Sequence, residues 1–221
     1  MARSPETYAD AKGCLQPLPR VRARVADALS TLRGLYPDAR LPPVTIAVGR
    51  GKPVAIGSHV TGIQIGLEAL CATEYLNADV EDRFVHVIVH EYVHVQQAWP
   101  LADLDHMTVL ETSLLEGVAE FVAELTSGSV AYAHLPGVVA GRQAEIETAF
   151  LGDRSKRDLS AWVGSGTSTQ PGELGYWVGY RIAKSYYHRA KDKPRALREM
   201  LEMRDADTFL AQSGWHPGMT F

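Results

Sequence analysis

His90-Glu91-Tyr92-Val93-His94 is an HExxH motif set inside the apolar run from Val80 to Ala98, and its reading decides the fold. On an α-helix, residues four apart lie one turn apart on the same face, so His90 and His94 can share one ion at roughly 2.1 Å from each nitrogen. Glu91 lies beside them, placed to take a proton from a metal-bound water. A match this short arises by chance in roughly 2% of chains of this composition, so its surroundings must carry weight. The run is too long for an ordinary buried strand and is apolar on almost every side, although Val85, Val87, Ile88, Val89, Val93 and Val95 are β-branched. Asn77 or Asp79 can cap its start, Glu81 and Asp82 suit the first turn, and Pro100 closes it. A buried helix follows. Ionisable groups in such a helix are costly unless paired or metal-bound.

His86 extends the histidine row by one turn, but it would stand about 12 Å from His94 along the axis, too far for a common ion. It reads as a histidine hydrogen-bonded in or beside the core. The third ligand is expected from Leu115-Glu116-Gly117-Val118-Ala119-Glu120-Phe121. Thr108 and Glu111 form a capping box for a helix from Thr108 to Leu125, on which Leu110, Leu114, Val118, Phe121, Val122 and Leu125 make an apolar stripe, and Gly128 ends it. Glu116 and Glu120 share a face one turn apart. Glu116 is the expected metal ligand, Glu120 the acceptor for the free ring N–H of a ligand histidine, and Gly117 leaves room for close packing.

HEYVH followed by EGVAE resembles the gluzincin group of zinc metallopeptidases, in which HExxH is followed by a glutamate ligand on a later helix. The segments Gly62-Ile63-Gln64-Ile65-Gly66-Leu67-Glu68 and Gly175-Tyr176-Trp177-Val178-Gly179-Tyr180-Arg181-Ile182 are similar to a largely uncharacterised bacterial family of predicted zinc-dependent proteases. The resemblance runs over about residues 40 to 215. It implies Zn2+ as cofactor, His90, His94 and Glu116 as its ligands, and Glu91 as general base. Metzincins place a further His or Asp soon after HExxH; Gln96, Gln97, Ala98 and Trp99 stand there instead, so His106 is not expected to bind.

With 221 residues, 46% hydrophobic and 22% charged, the chain is long enough for a substantial core. A net charge of −4 without a basic run argues against a nucleic-acid partner, and no apolar stretch reaches membrane-spanning length. Oligomeric state is open. Cys14 and Cys71 fit either one disulfide or two thiols, and no signal peptide opens the sequence, so the compartment stands between cytoplasm and export with the leader removed.

The breakers set the coarse order. A loose segment over 1–17 precedes one domain over 18–221, which begins with a helix from about Pro19 to Tyr36 carrying Val21, Val25, Leu29, Leu32 and Leu35 inward. Strands are expected at Val44 to Val48 and Val60 to Leu67, with a turn-rich loop from Gly49 to Pro53 between them. The expected class is α+β and zincin-like: a small N-terminal sheet packed on the active-site helix, then a mostly helical C-terminal part. Gln64 to Leu67 is the candidate sheet edge for an extended substrate. Beyond Gly128, helices are expected near Val138 to Leu151, Gly175 to Arg189, Pro194 to Met203 and Ala206 to Ser213, with a mobile loop from Gly164 to Gly172. Tyr176 first, and Tyr180 second, are candidate donors to the oxyanion of a tetrahedral intermediate, with His188 and His134 as substitutes. The function read from these residues is zinc-dependent hydrolysis of a peptide or protein substrate. The alternatives are a zinc hydrolase of a non-peptide amide or ester, and a non-catalytic zinc-containing binding module.

Overall fold

Packing makes the motif segment helical. In the computed structural model Val80–Gln96 is one α-helix, and all six of its β-branched core residues, Val85, Val87, Ile88, Val89, Val93 and Val95, are buried. Burying one such side chain is worth about 1.5 kcal/mol or more, against a few tenths lost to weaker helix propensity. The described residues are 11–49, 54–58, 60–97, 106–164 and 172–221. They form two compact units, Met1–Gln96 with Val122–Ala133 and Gln97–Phe121 with His134–Phe221.

The first unit opens with a short 3-10 turn, Gly13–Leu15. Ala11 and Cys14 are buried, so packing starts earlier than the loose segment over 1–17 expected from the sequence; residues 1–10 lie outside the described residues. Helix α1, Leu18–Leu35, begins with proline in its first turn and buries Val21, Val25, Ala28 and Leu32. Three strands follow, β1 (Val44–Ala47), β2 (Ala55–Ser58) and β3 (Gly62–Gly66), in the spatial order β1-β3-β2. β1 runs parallel to β3 and β2 antiparallel to it. This arrangement corrects two expectations. The run from Val60 to Leu67 is a shorter strand followed by a helix, α2 (Leu67–Cys71), and β3 is paired on both sides, so Gln64 to Leu67 is no sheet edge. The Gly49–Pro53 loop falls mostly outside the described residues.

The motif helix is α3, Val80–Gln96. The Asp79 carboxylate caps it by accepting from Asp82 N at 2.8 Å, and Arg24 of α1 pairs with Glu81 and Asp82 at 3.2 and 2.8 Å. Arg83, 1% exposed, donates to the carbonyls of Asn77, Leu70, Cys71 and Ala78. A buried guanidinium is tolerable because it is satisfied by those oxygens. Cys14 and Cys71 form a disulfide.

Helix α4, Val109–Ser127, is continuous, and its last residues from Val122 belong to the first unit. The expected capping box is present: Thr108 N donates to Glu111 Oε2 at 2.7 Å, and Glu111 N to Thr108 Oγ1 at 3.3 Å. Gly128, at φ +89, ends the helix. In the second unit come α5 (Leu135–Val139), α6 (Gln143–Asp153), α7 (Leu174–Arg189), α8 (Lys193–Leu201) and α9 (Ala206–Ser213). The single helix expected near Val138 to Leu151 is broken at Gly141, whose φ of +76 cannot continue a right-handed helix. α4 and α7 cross at two glycines. A Cβ on Gly117 would fall on the Gly179 backbone, and one on Gly179 on the Ser113 carbonyl. Most of the loop from Gly164 to Gly172 lies outside the described residues. The class is α+β, as expected, and among the described residues no helix is long and apolar enough to cross a membrane.

Candidate metal centre

One turn of α3 brings the two motif imidazoles face to edge. Their Nε2 atoms stand 3.0 Å apart and the ring planes meet at 82°. His90 is 4% exposed and its ring faces Tyr132, with centroids 6.1 Å apart. Glu116 comes from α4, and its carboxylate lies with the two imidazole nitrogens in a set whose ligand atoms are all within 4.8 Å of one another. Donors about 2.1 Å from a tetrahedral ion are roughly 3.4 Å apart, so two imidazoles and one carboxylate at these separations suit zinc with small adjustments. Two nitrogens facing each other this closely are also well served by a shared cation. His90, His94 and Glu116 could thus hold a metal ion.

Among the described residues, the other histidines are not part of this set. His86 is buried, with Nδ1 2.8 Å from Ser127 Oγ and Nε2 3.9 Å from Asp82, which is the core histidine expected. His106 is exposed, and His188 is exposed with its ring against Phe221.

Glu91 is half-buried under β2. A Cβ at Gly57 would fall on the Glu91 carbonyl oxygen and lie 3.1 Å from its Oε2, so only glycine lets the strand approach the carboxylate this closely. Near the end of α3, the Gln96 side chain exchanges two hydrogen bonds with the Arg40 backbone at 2.7 and 2.8 Å, and Tyr92 donates its hydroxyl to Pro42 O at 2.7 Å. These bonds hold the motif turn against the sheet side of the unit. Beside Glu116, Gln97 Nε2 donates to Leu115 O at 2.7 Å.

Both candidate tyrosines are on α7. Tyr180 has its backbone nitrogen against Gly117, the neighbour of Glu116. Its hydroxyl accepts from Lys184 Nζ at 2.6 Å. Tyr176 is half-buried in the first turn, with its backbone nitrogen donating to Glu173 O at 3.0 Å. Glu120 is 2% exposed, and its charge acts on two groups that the motif reading did not connect with it, His134 and Glu173. Burial holds the His134 pKa below the ordinary imidazole value, and burial, then the Glu120 charge, pushes Glu173 up to about 7. Gly57, Tyr132 and Glu173 were not singled out from the sequence.

Residues 69–210 match the family described as Predicted Zn-dependent protease (DUF2268), and the chain belongs to that family. No curated protein and no solved structure matches it.

Proposed function

We propose that this chain is a gluzincin-type zinc peptidase in which His90, His94 and Glu116 hold the metal and Glu91 is the general base. The observation that carries the reading is the convergence of the two motif imidazoles with a carboxylate from a separate helix, all within 4.8 Å. A zinc ion held there would supply a Lewis acid that polarises a carbonyl and acidifies water. Glu91 takes the proton of the attacking water and passes it to the leaving amine nitrogen. Tyr176, with Tyr180 as the alternative, donates its hydroxyl to the developing oxyanion. Glu120 orients a ligand imidazole by accepting its free N–H.

Peptide is favoured over a small ester or amide by the sheet edge beside the general base. Gly66 N donates to Val54 O at 3.1 Å. With Ala55 opposite Ile65, alternation of an antiparallel ladder turns the N–H and C=O of Ala55 and Gly57 away from β3. Among the described residues β2 is an edge strand, and Gly57 lies against Glu91. An extended substrate is read as pairing there, in place of the Gln64 to Leu67 edge expected from the sequence. The test is E91Q: the variant should bind zinc as the parent does and lose peptide hydrolysis by at least about 100-fold. Equal rates would remove Glu91 from the mechanism, and hydrolysis confined to small esters would remove the peptide substrate.

A further inference from the structure

Among the described residues, Glu173 is the single non-glycine residue with a left-handed backbone, at φ 63 and ψ 15. Glycine would occupy this position without strain, and the Glu173 side chain makes no capping bond to the helix it precedes. Its carboxyl is instead buried, with Oε2 3.6 Å from His134 Nε2. Among the described residues, the titratable groups that face it are His134, ahead of α5, and Glu120 on α4, one turn from Glu116. Strain of this kind persists where surrounding structure uses the side chain.

We propose that Glu173 is a positioning residue of the reaction: its strained backbone delivers the carboxyl to His134 and Glu120, forming a buried cluster that holds one proton and keeps a single negative charge one turn from Glu116. This rests on the peptidase reading above. Two ionised acids in so little water would repel, and Glu120 would be displaced from the imidazole it orients; a protonated Glu173 prevents this. Release of that proton to solvent adds the second charge. The elevated value of about 7 for Glu173 places this release near neutrality.

The sign of the pH effect follows. An acid whose pKa is raised on folding from 4.5 to about 7 is protonated in the native chain and ionised in the unfolded one between those values, so its contribution to stability falls as pH rises through that window. Three full-length proteins test the proposal: the parent, E173Q and E173G, each equilibrated with zinc and assayed for metal content, urea unfolding from pH 4.5 to 8, and turnover of a quenched-fluorescent peptide mixture. E173Q should lose part of the parent's decline in urea midpoint over that window, and its kcat should stay level above pH 7 where the parent's falls. E173G should melt no lower than the parent, since glycine relaxes the left-handed backbone, yet turn over several-fold more slowly at pH 6.5. If E173Q superimposes on the parent in both pH profiles, or E173G matches the parent's kcat, Glu173 is a structural residue only. A zinc-loaded parent that hydrolyses nothing would defeat the peptidase reading, and the urea series would still decide whether the cluster holds its proton.

Discussion

A methyl group at position 57 has no space to enter. It would meet the carbonyl oxygen of Glu91 and crowd its carboxylate, so G57A should shift the general base by a fraction of an ångström to an ångström while leaving the three ligands in place. Displacements of this size cost about 100-fold in turnover. The expected result is a kcat lowered by about that factor with zinc content unchanged, measured by elemental analysis beside peptide hydrolysis; a parent-like kcat would show that the strand is free to give way. At this scale the candidate ligands were legible and the glycine was not. His90, His94, Glu116 and Glu120 lie on helices, where spacing by itself fixes which side chains share a face. Gly57 and Tyr132 meet the site through tertiary packing, which no local spacing encodes. Glu173 depends on a backbone angle that a glutamate ordinarily avoids.

Among the elements, β2 is the one that, on the proposed reading, governs what kind of molecule reaches Glu91. Ala55 directs its N–H away from β3, and proline is tolerated on an edge strand where that group is not used by the sheet. A55P should therefore fold and bind zinc, yet raise KM several-fold for extended peptides and little for a blocked dipeptide amide. Equal KM values for parent and variant on extended peptides would place the substrate elsewhere. β2 escaped the sequence reading because it is short and follows the turn-rich run Gly49 to Pro53, which obscured where strand could resume. The helices were clearer. α1, α3, α4, α7 and α9 each carry a cap, a breaker or an apolar stripe at its end or along its face. The exception is the stretch near Val138 to Leu151, read as one helix, where Gly141 at positive φ separates two. At α4, the Thr108 cap gives a further check: T108A should lower stability by about 1 kcal/mol in urea unfolding, and no change would mean that the Glu111 carboxylate alone suffices.

Across the whole molecule, the disulfide is the constraint that sequence left open. Cys14 and Cys71 are 57 residues apart, and closing a loop of that length removes about 4 kcal/mol of unfolded-chain entropy at 25 °C. Reduction, or C14S with C71S, should lower the thermal midpoint by several degrees; an unchanged midpoint on verified reduction would show that packing of Ala11 and Cys14 is retained without the bond. Composition and charge could set expectations about partners, but they could not pair the cysteines, because that pairing depends on α2 ending beside the N-terminal turn.

The central claim, that a metal held by His90, His94 and Glu116 serves peptide hydrolysis based on Glu91, is tested most directly by pairing zinc content with product mass analysis. The zinc-equilibrated parent and E91Q are each incubated with the same defined peptide mixture. The account predicts one zinc per chain in both proteins and new peptide termini from the parent alone. New termini from E91Q at the parent's rate, or a parent that binds no zinc, would contradict it.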